Sequence, residues 1–205
     1  MAPDATVYVV DDDAAVRESI AALLQSQGIR TEIFPEAQAF LQAFSPERPG
    51  CLIVDVRLPG ISGLDLQRQL AEMDAQLPVI VITGHADVPM AARAMRAGAL
   101  DFIEKPFRPR RLLEVVGEAL ALDARRRLRQ QEETRLRAGL ARLTASERTV
   151  LHRVAEGTYN KVTAAELGVS VSTVEAYRRR LMRKLGAESL YDLVRAAELD
   201  AGTEE

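Results

Sequence analysis

The sequence predicts a doubly wound α/β domain followed by an all-helical domain, and three observations carry that reading. Five short apolar runs recur in the first half, separated by stretches whose apolar residues fall at helical spacing. From Pro109 onward the strand pattern stops and helical periodicity continues alone. The charge balance also changes sign: residues 1–122 hold 17 acidic and 11 basic side chains, whereas residues 123–205 hold 13 acidic and 16 basic. An acidic half followed by a basic half suggests a cation site followed by a polyanion site.

The apolar runs are TVYVV (6–10), TEIF (31–34), CLIVD (51–55), PVIVIT (78–83) and DFIE (101–104). Three are continuously apolar, as befits parallel strands covered on both faces; TEIF is mixed and suits an edge strand. Residues 14–27 place Val16, Ile20, Leu23 and Leu24 on one helical stripe, stopped by Gly28. Ala37 to Phe44 follows Pro35 with Phe40, Leu41 and Phe44 on one face. Leu64–Met73 and Val88–Ala97 repeat the pattern, the latter closed by Gly98.

After Pro109 a long apolar stripe, Leu112 to Leu122, passes into DARRRLRQQEETRLRAGLARL, which is rich in helix formers and free of proline. The last helix of the first domain is therefore expected to continue as a helical linker. Its Leu128, Leu136, Leu140 and Leu143 form a seam for a partner helix, while residues 123–138 read equally as a solvated charged helix. Thr144 and Glu147 have capping-box spacing and open a helix reaching Ala155, with Gly157 as its stop. A short helix from Lys161 to Leu167 ends at Gly168; Ser170 or Ser172 caps a helix through Leu185; Ser189 caps a last helix to about Leu199. Helix, glycine turn, helix is the expected helix-turn-helix pattern. The division is 1–122 for the α/β domain, 123–141 for the linker and 142–205 for the four-helix domain.

No apolar stretch approaches the roughly 20 residues that span a bilayer. The opening MAPDATVYVVDDD has neither the basic flank nor the apolar run of a signal peptide. The expected location is the cytoplasm, with no membrane partner. The single cysteine, Cys51, lies in an apolar strand and is expected to be a core thiol.

In a parallel α/β sheet, ligands bind beyond the carboxyl ends of the strands. Asp11, Asp12 and Asp13 follow the first strand, Asp55 ends the third, Thr83 the fourth, and Lys105 follows the fifth. All should converge on one sheet edge. Clustered acids repel, so a hard cation with oxygen ligands, Mg²⁺ above all and Mn²⁺ in its place, is needed to hold them ionised together. Such a set fits phosphoryl transfer to a carboxylate, with Asp55 attacking phosphorus and Lys105 and Thr83 holding the remaining oxygens. A cis Lys105–Pro106 bond would aim the lysine into the site. Asp13 is expected to cap the following helix.

VVDDD, VDVRLPGISG, VITGHAD and DFIEKPF resemble the receiver-domain signature in order and spacing over most of residues 1–122. The resemblance implies a flavodoxin-like five-stranded domain with Asp55 as phosphoacceptor and Asp11 and Asp12 as the acid pair for Mg²⁺. It gives the backbone carbonyl of Arg57 as the third protein ligand. Thr83 and Lys105 would sense the phosphoryl group and Phe102 would rotate on activation. Arg57 and His85 are expected to tune the lifetime of the phosphoaspartate by steering water.

Residues 142–196 resemble the LuxR-type four-helix helix-turn-helix, so the chain as a whole is similar to the NarL/FixJ response regulators. Val171 to Leu185 carries Arg178, Arg179, Arg180, Arg183 and Lys184, with Val174, Leu181 and Leu185 free to face a core. By position in the motif, Glu175, Ala176 and Arg179 read base edges. Lys161, Ser172, Thr173, Tyr177, Arg178 and Arg183 contact phosphates. Tyr177 stands where the family usually has histidine, and Val162-Thr163 replaces a polar–isoleucine pair. The implied partners are a sensor histidine kinase, double-stranded promoter DNA, a second copy of the chain on phosphorylation, and RNA polymerase.

Three other functions compete with this reading. An aspartyl-phosphate phosphatase of the haloacid-dehalogenase type would place a second Asp two residues beyond Asp55, where Arg57 stands. A small-molecule-sensing LuxR-type regulator conflicts with the receiver pattern in residues 1–122. A receiver that acts chiefly by protein contact is the third, and loss of specific DNA retention on mutating Arg179 would argue against it.

Overall fold

The computed structural model describes residues 5–84 and 88–202. They form two compact units, divided between Arg127 and Leu128. In the first, strands β1 (Thr6–Val10), β2 (Arg30–Phe34), β3 (Gly50–Asp55), β4 (Val79–Thr83) and β5 (Asp101–Glu104) pair in parallel in the order β2-β1-β3-β4-β5. The mixed TEIF run lies at an edge, and β1, β3 and β4 are buried throughout. The continuous apolar runs thus mark strands covered on both faces.

The helices of this unit are α1 (Ala14–Ser26), α2 (Ala37–Ala43), α3 (Gly63–Glu72), α4 (Val88–Arg96) and, as far as Arg127, α5 (Pro109–Leu140). Alternation along β1 sends Val7 and Val9 to one face and Tyr8 and Val10 to the other. The first face packs Ile20 and Leu24 of α1 and Leu112 and Val116 of α5. The second packs Phe40 of α2, Leu66 and Leu70 of α3 and Ala94 of α4. Chain order reverses across β1 and β3, which opens a crevice beyond their carboxyl ends.

Two glycines sit where backbones pass too close for a side chain. A Cβ on Gly50 would lie 1.9 Å from the Thr6 carbonyl oxygen, and one on Gly63 would lie 2.1 Å from that of Asp55. The Gly50 amide donates to the buried Asp123 carboxylate of α5 at 3.0 Å. Arg127 pairs with Asp123 and donates to the carbonyls of Pro46, Glu47 and Arg48, so one guanidinium satisfies the whole turn before β3. Cys51 is fully buried, and burial pushes its thiol well above the ordinary range.

The second unit packs the last turns of α5 with α6 (Ala145–Ala155), α7 (Asn160–Leu167), α8 (Val171–Leu185) and α9 (Leu190–Ala201). Leu136 and Leu140 are buried here with Leu151, Val174 and Leu181, and Leu143 packs against them. The leucine seam expected for a partner helix is therefore used by its own domain, and Leu128 alone of the four stays largely exposed. Thr144 and Glu147 form the expected capping box. Ser170 rather than Ser172 caps α8, and Gly168 and Gly186 close α7 and α8 in the left-handed conformation. Glu147 is buried and also bonded by Lys184 Nζ at 2.6 Å.

Candidate functional site

The acidic site is assembled by the sheet. Asp11 follows β1, Asp55 ends β3, Thr83 ends β4 and Lys105 follows β5, so all four stand at the carboxyl edge. Asp11, Asp55 and Thr83 are buried. The Lys105 amide donates to the Thr83 carbonyl at 2.7 Å, and the Lys105–Pro106 bond is cis. Lys105 Nζ donates to Asp11 Oδ2 at 2.5 Å and to Asp55 Oδ1 at 2.7 Å. Asp55 Oδ2 accepts from the Arg57 amide, and Asp11 Oδ1 accepts from the Asp13 amide at 3.0 Å. Asp13 itself caps α1, accepting from the amides of Ala15 and Val16.

Burial raises the Asp11 carboxyl above its ordinary range, against the lowering effect of Lys105. Burial also works against the charge on Lys105, but hydrogen bonds to Asp11 and Asp55 outweigh it and raise the lysine. The residue is therefore an ammonium at neutral pH, fixed between two carboxylates. Asp12 and Arg57 are exposed, and Phe102 is half-buried on the face shared with Met90 and Ala94 of α4. His85 lies outside the described residues.

Among the described residues, no three His, Cys, Asp or Glu side chains are gathered ready to hold a metal ion. The donor chemistry nevertheless fits a hard divalent cation, because the available groups are all oxygens. Asp11 and Asp55 already share one cation, the Lys105 ammonium. Asp12 follows Asp11 directly in the chain, and Arg57 lies two residues beyond Asp55.

The basic site is α8 with the start of α7. Val174, Leu181 and Leu185 are buried, which leaves Ser172, Glu175, Arg179, Arg180 and Arg183 exposed, while Thr173, Ala176, Tyr177 and Arg178 are half-buried. Lys161 is exposed on the first turn of α7. Arg178 donates to Asn160 Oδ1 at 3.0 Å, which brings the two helices to one surface. Arg180 lies over the Tyr177 ring, 5.1 Å from its centroid. Ser170 Oγ bonds both Ser172 Oγ and Thr173 Oγ1 at 2.8 Å.

Two contributors, Arg17 and Asn160, escaped the sequence reading, and a third, Ser170, was read there only as a possible cap. Arg17, one turn into α1, donates to the Asp11 carbonyl; Asn160 orients Arg178; and Ser170 engages the hydroxyls of Ser172 and Thr173. Spacing alone offers a hint only for Arg17, which lies on the turn following the cap at Asp13.

Among the described residues, no helix is long and apolar enough to cross a membrane. Residues 7–117 match the response regulator receiver domain, and residues 141–197 match the bacterial regulatory proteins of the luxR family. The chain is similar to nodulation protein W of Bradyrhizobium diazoefficiens, with 44% identity over 95% of this chain and 86% of that protein. It is 46% identical to the transcriptional regulatory protein FixJ of Azorhizobium caulinodans over 94% of this chain and 92% of that one. Among solved structures it resembles the response regulator StyR, with a TM-score of 0.82 and 42% identity over 95% of this chain and 98% of StyR.

Proposed function

Because the chain belongs to the response regulators that join a receiver domain to a LuxR-type DNA-binding domain, we propose that Asp55 accepts the phosphoryl group on which its control of transcription depends. The family is one of transcription regulators rather than of catalytic enzymes, and its two domains imply a histidine kinase and DNA as partners. The observation that carries the assignment to Asp55 is its geometry: a buried carboxylate at a strand end, bonded through one oxygen to an ammonium and through the other to an amide.

In this reading an Asp55 oxygen attacks phosphorus, and the bond from phosphorus to the donor histidine breaks, its electron pair leaving with the imidazole. Lys105 moves from the Asp55 carboxylate to a phosphoryl oxygen, and the Thr83 hydroxyl donates to another. Asp11, Asp12, Asp55 and the Arg57 carbonyl would hold Mg²⁺, which when bound neutralises charge on the phosphoryl oxygens. Arg57 and His85 regulate the access of water to the product, and Phe102 follows Thr83 inward. The face made by α4 and β5 then repacks and pairs with a second copy, so that two α8 helices engage two half-sites with gained avidity.

Glu175, Ala176 and Arg179 read base edges in the major groove; Lys161, Ser172, Thr173, Tyr177, Arg178 and Arg183 hold phosphates. RNA polymerase is the downstream partner and the cytoplasm the site of action. The functional division is 1–122, 123–141 and 142–205, with Leu136 and Leu140 lending the linker's last turns to the DNA-binding core.

The test is selection of DNA from genomic fragments by the full chain, with and without beryllofluoride and Mg²⁺, beside Asp55→Asn. Beryllofluoride should tighten specific binding of the parent chain and leave the variant unchanged. Equal tightening of both would remove Asp55 from the role.

A further inference from the structure

The helix that carries the switching face is held unevenly. Ala94 is the buried residue of α4, whereas Val88 at its start is largely exposed. The far end is closed tightly: the amides of Gly98 and Ala99 donate to the carbonyls of Met95 and Ala94 at 3.0 Å. The Ala94 carbonyl takes a second bond, at 3.1 Å, from Nε2 of Gln67 in α3.

Gln67 is an unusual residue to find there. It is only 3% exposed, yet its Oε1 has no hydrogen-bond partner among the described residues. The Ala94 carbonyl fixes the amide's orientation, because Oε1 turned toward it would be repelled. A buried amide satisfied on one side is costly to keep, and a leucine or methionine would fill the same space without that cost. Beside it opens a surface groove of about 230 Å³, walled by Leu70, Leu77, Val79 and Gly98 and rimmed by Asp74 and Arg126. Packed interiors resist small displacements, and the groove leaves the backbone just past α4 less closely packed on that side.

We propose that Gln67 is the positioning residue that pins the C-terminal end of α4 in the unphosphorylated arrangement, and that the pin is released when the face repacks. This rests on the reading above, in which the α4–β5 face rearranges on phosphorylation of Asp55. Thr83 ends the strand that precedes α4 in the chain, and the Gln67–Ala94 bond holds the opposite end of that helix. The bond is made only in the resting arrangement, so its loss shifts the balance between the two arrangements toward the repacked one.

The experiment compares the full chain with Gln67→Met by analytical ultracentrifugation, with and without beryllofluoride and Mg²⁺. The variant should self-associate about tenfold more tightly without beryllofluoride and equally tightly with it, so the response ratio shrinks. A residue needed only for packing would lower the urea midpoint and leave that ratio intact, which would overturn the proposal. A parent chain whose association ignores beryllofluoride would instead overturn the repacking face, and Gln67 with it. If Gln67→Met does not fold, hydrogen exchange on the parent chain decides: Gly98 and Ala99 should lose protection on beryllofluoride addition, and unchanged protection sinks the pin.

Discussion

Lys105 Nζ stands 2.7 Å from Asp55 Oδ1 while the same ammonium bonds Asp11, so one cation offsets two buried carboxylates. Replacing it with methionine leaves those acids facing each other in a poorly solvated site. Lys105→Met should cost about 3 kcal/mol of receiver stability at pH 7 in metal-free buffer. Burial already holds Asp11 above the usual carboxylate range. The deficit should therefore shrink as pH falls and Asp11 protonates. Urea unfolding from pH 7 to pH 4 measures it; a deficit constant with pH would show that the loss is packing alone.

Gly63 keeps its distance from Asp55 only by lacking a side chain. A Cβ there would stand 2.1 Å from the Asp55 carbonyl oxygen, and the end of β3 has no room to yield. Gly63→Ala should destabilise the receiver by roughly 1–3 kcal/mol and displace Asp55. Phosphorylation by a small-molecule donor, followed by gel shift of the phosphoprotein, should slow by more than tenfold. An unchanged rate would mean that the carboxylate is positioned independently of its backbone.

Glu147 supplies a pH-dependent hold on the DNA-binding domain. Burial raises its carboxyl, but the bonds from Lys184 Nζ and from the Thr144 amide and hydroxyl win and draw it below the ordinary value of 4.5. Its stabilisation is thus complete above about pH 4.5 and is lost as pH falls through the lowered folded value. Glu147→Gln should cost roughly 1–3 kcal/mol at pH 7, and the cost should shrink steadily as pH falls below 4.5. The check is the urea transition of the C-terminal unit across that range.

On α8, Arg179 and Arg183 are both exposed but should fail in different ways. Arg179→Ala should lose roughly 1–3 kcal/mol on the preferred site and relax preference at one base pair. Arg183→Ala should weaken all sequences alike and reduce the salt slope by about 1. Fluorescence anisotropy on matched and mutated sites over a salt series separates them; identical profiles would refute the division into readers and holders.

Strand and helix order was legible because burial on both faces leaves continuous apolar runs, and the mixed TEIF run marked an edge. The acidic site was legible too, because strand ends fix where Asp11, Asp55, Thr83 and Lys105 must meet. What stayed hidden depended on reach rather than on spacing. Asp123 begins a charged stretch that looks solvated, yet it is buried because the Gly50 amide, 73 residues away, needs an acceptor. Gln67 occupies an ordinary polar position in its helix and is buried only because α4 lies against it. The alternatives for the α8 cap were sequence-equivalent, and only the path of the turn selects Ser170.

The Asp123–Arg127 fastening bears on how such proteins can be recombined. A chimera that joins a foreign output domain after Leu122 would discard the acceptor of the Gly50 amide and the guanidinium that seals residues 46–48. The graft would carry a receiver with a frayed underside, whatever the quality of its phosphorylation site. A junction placed after Arg127 keeps the exchanged module whole, so the seam for domain shuffling lies inside an unbroken helix rather than at its visible beginning.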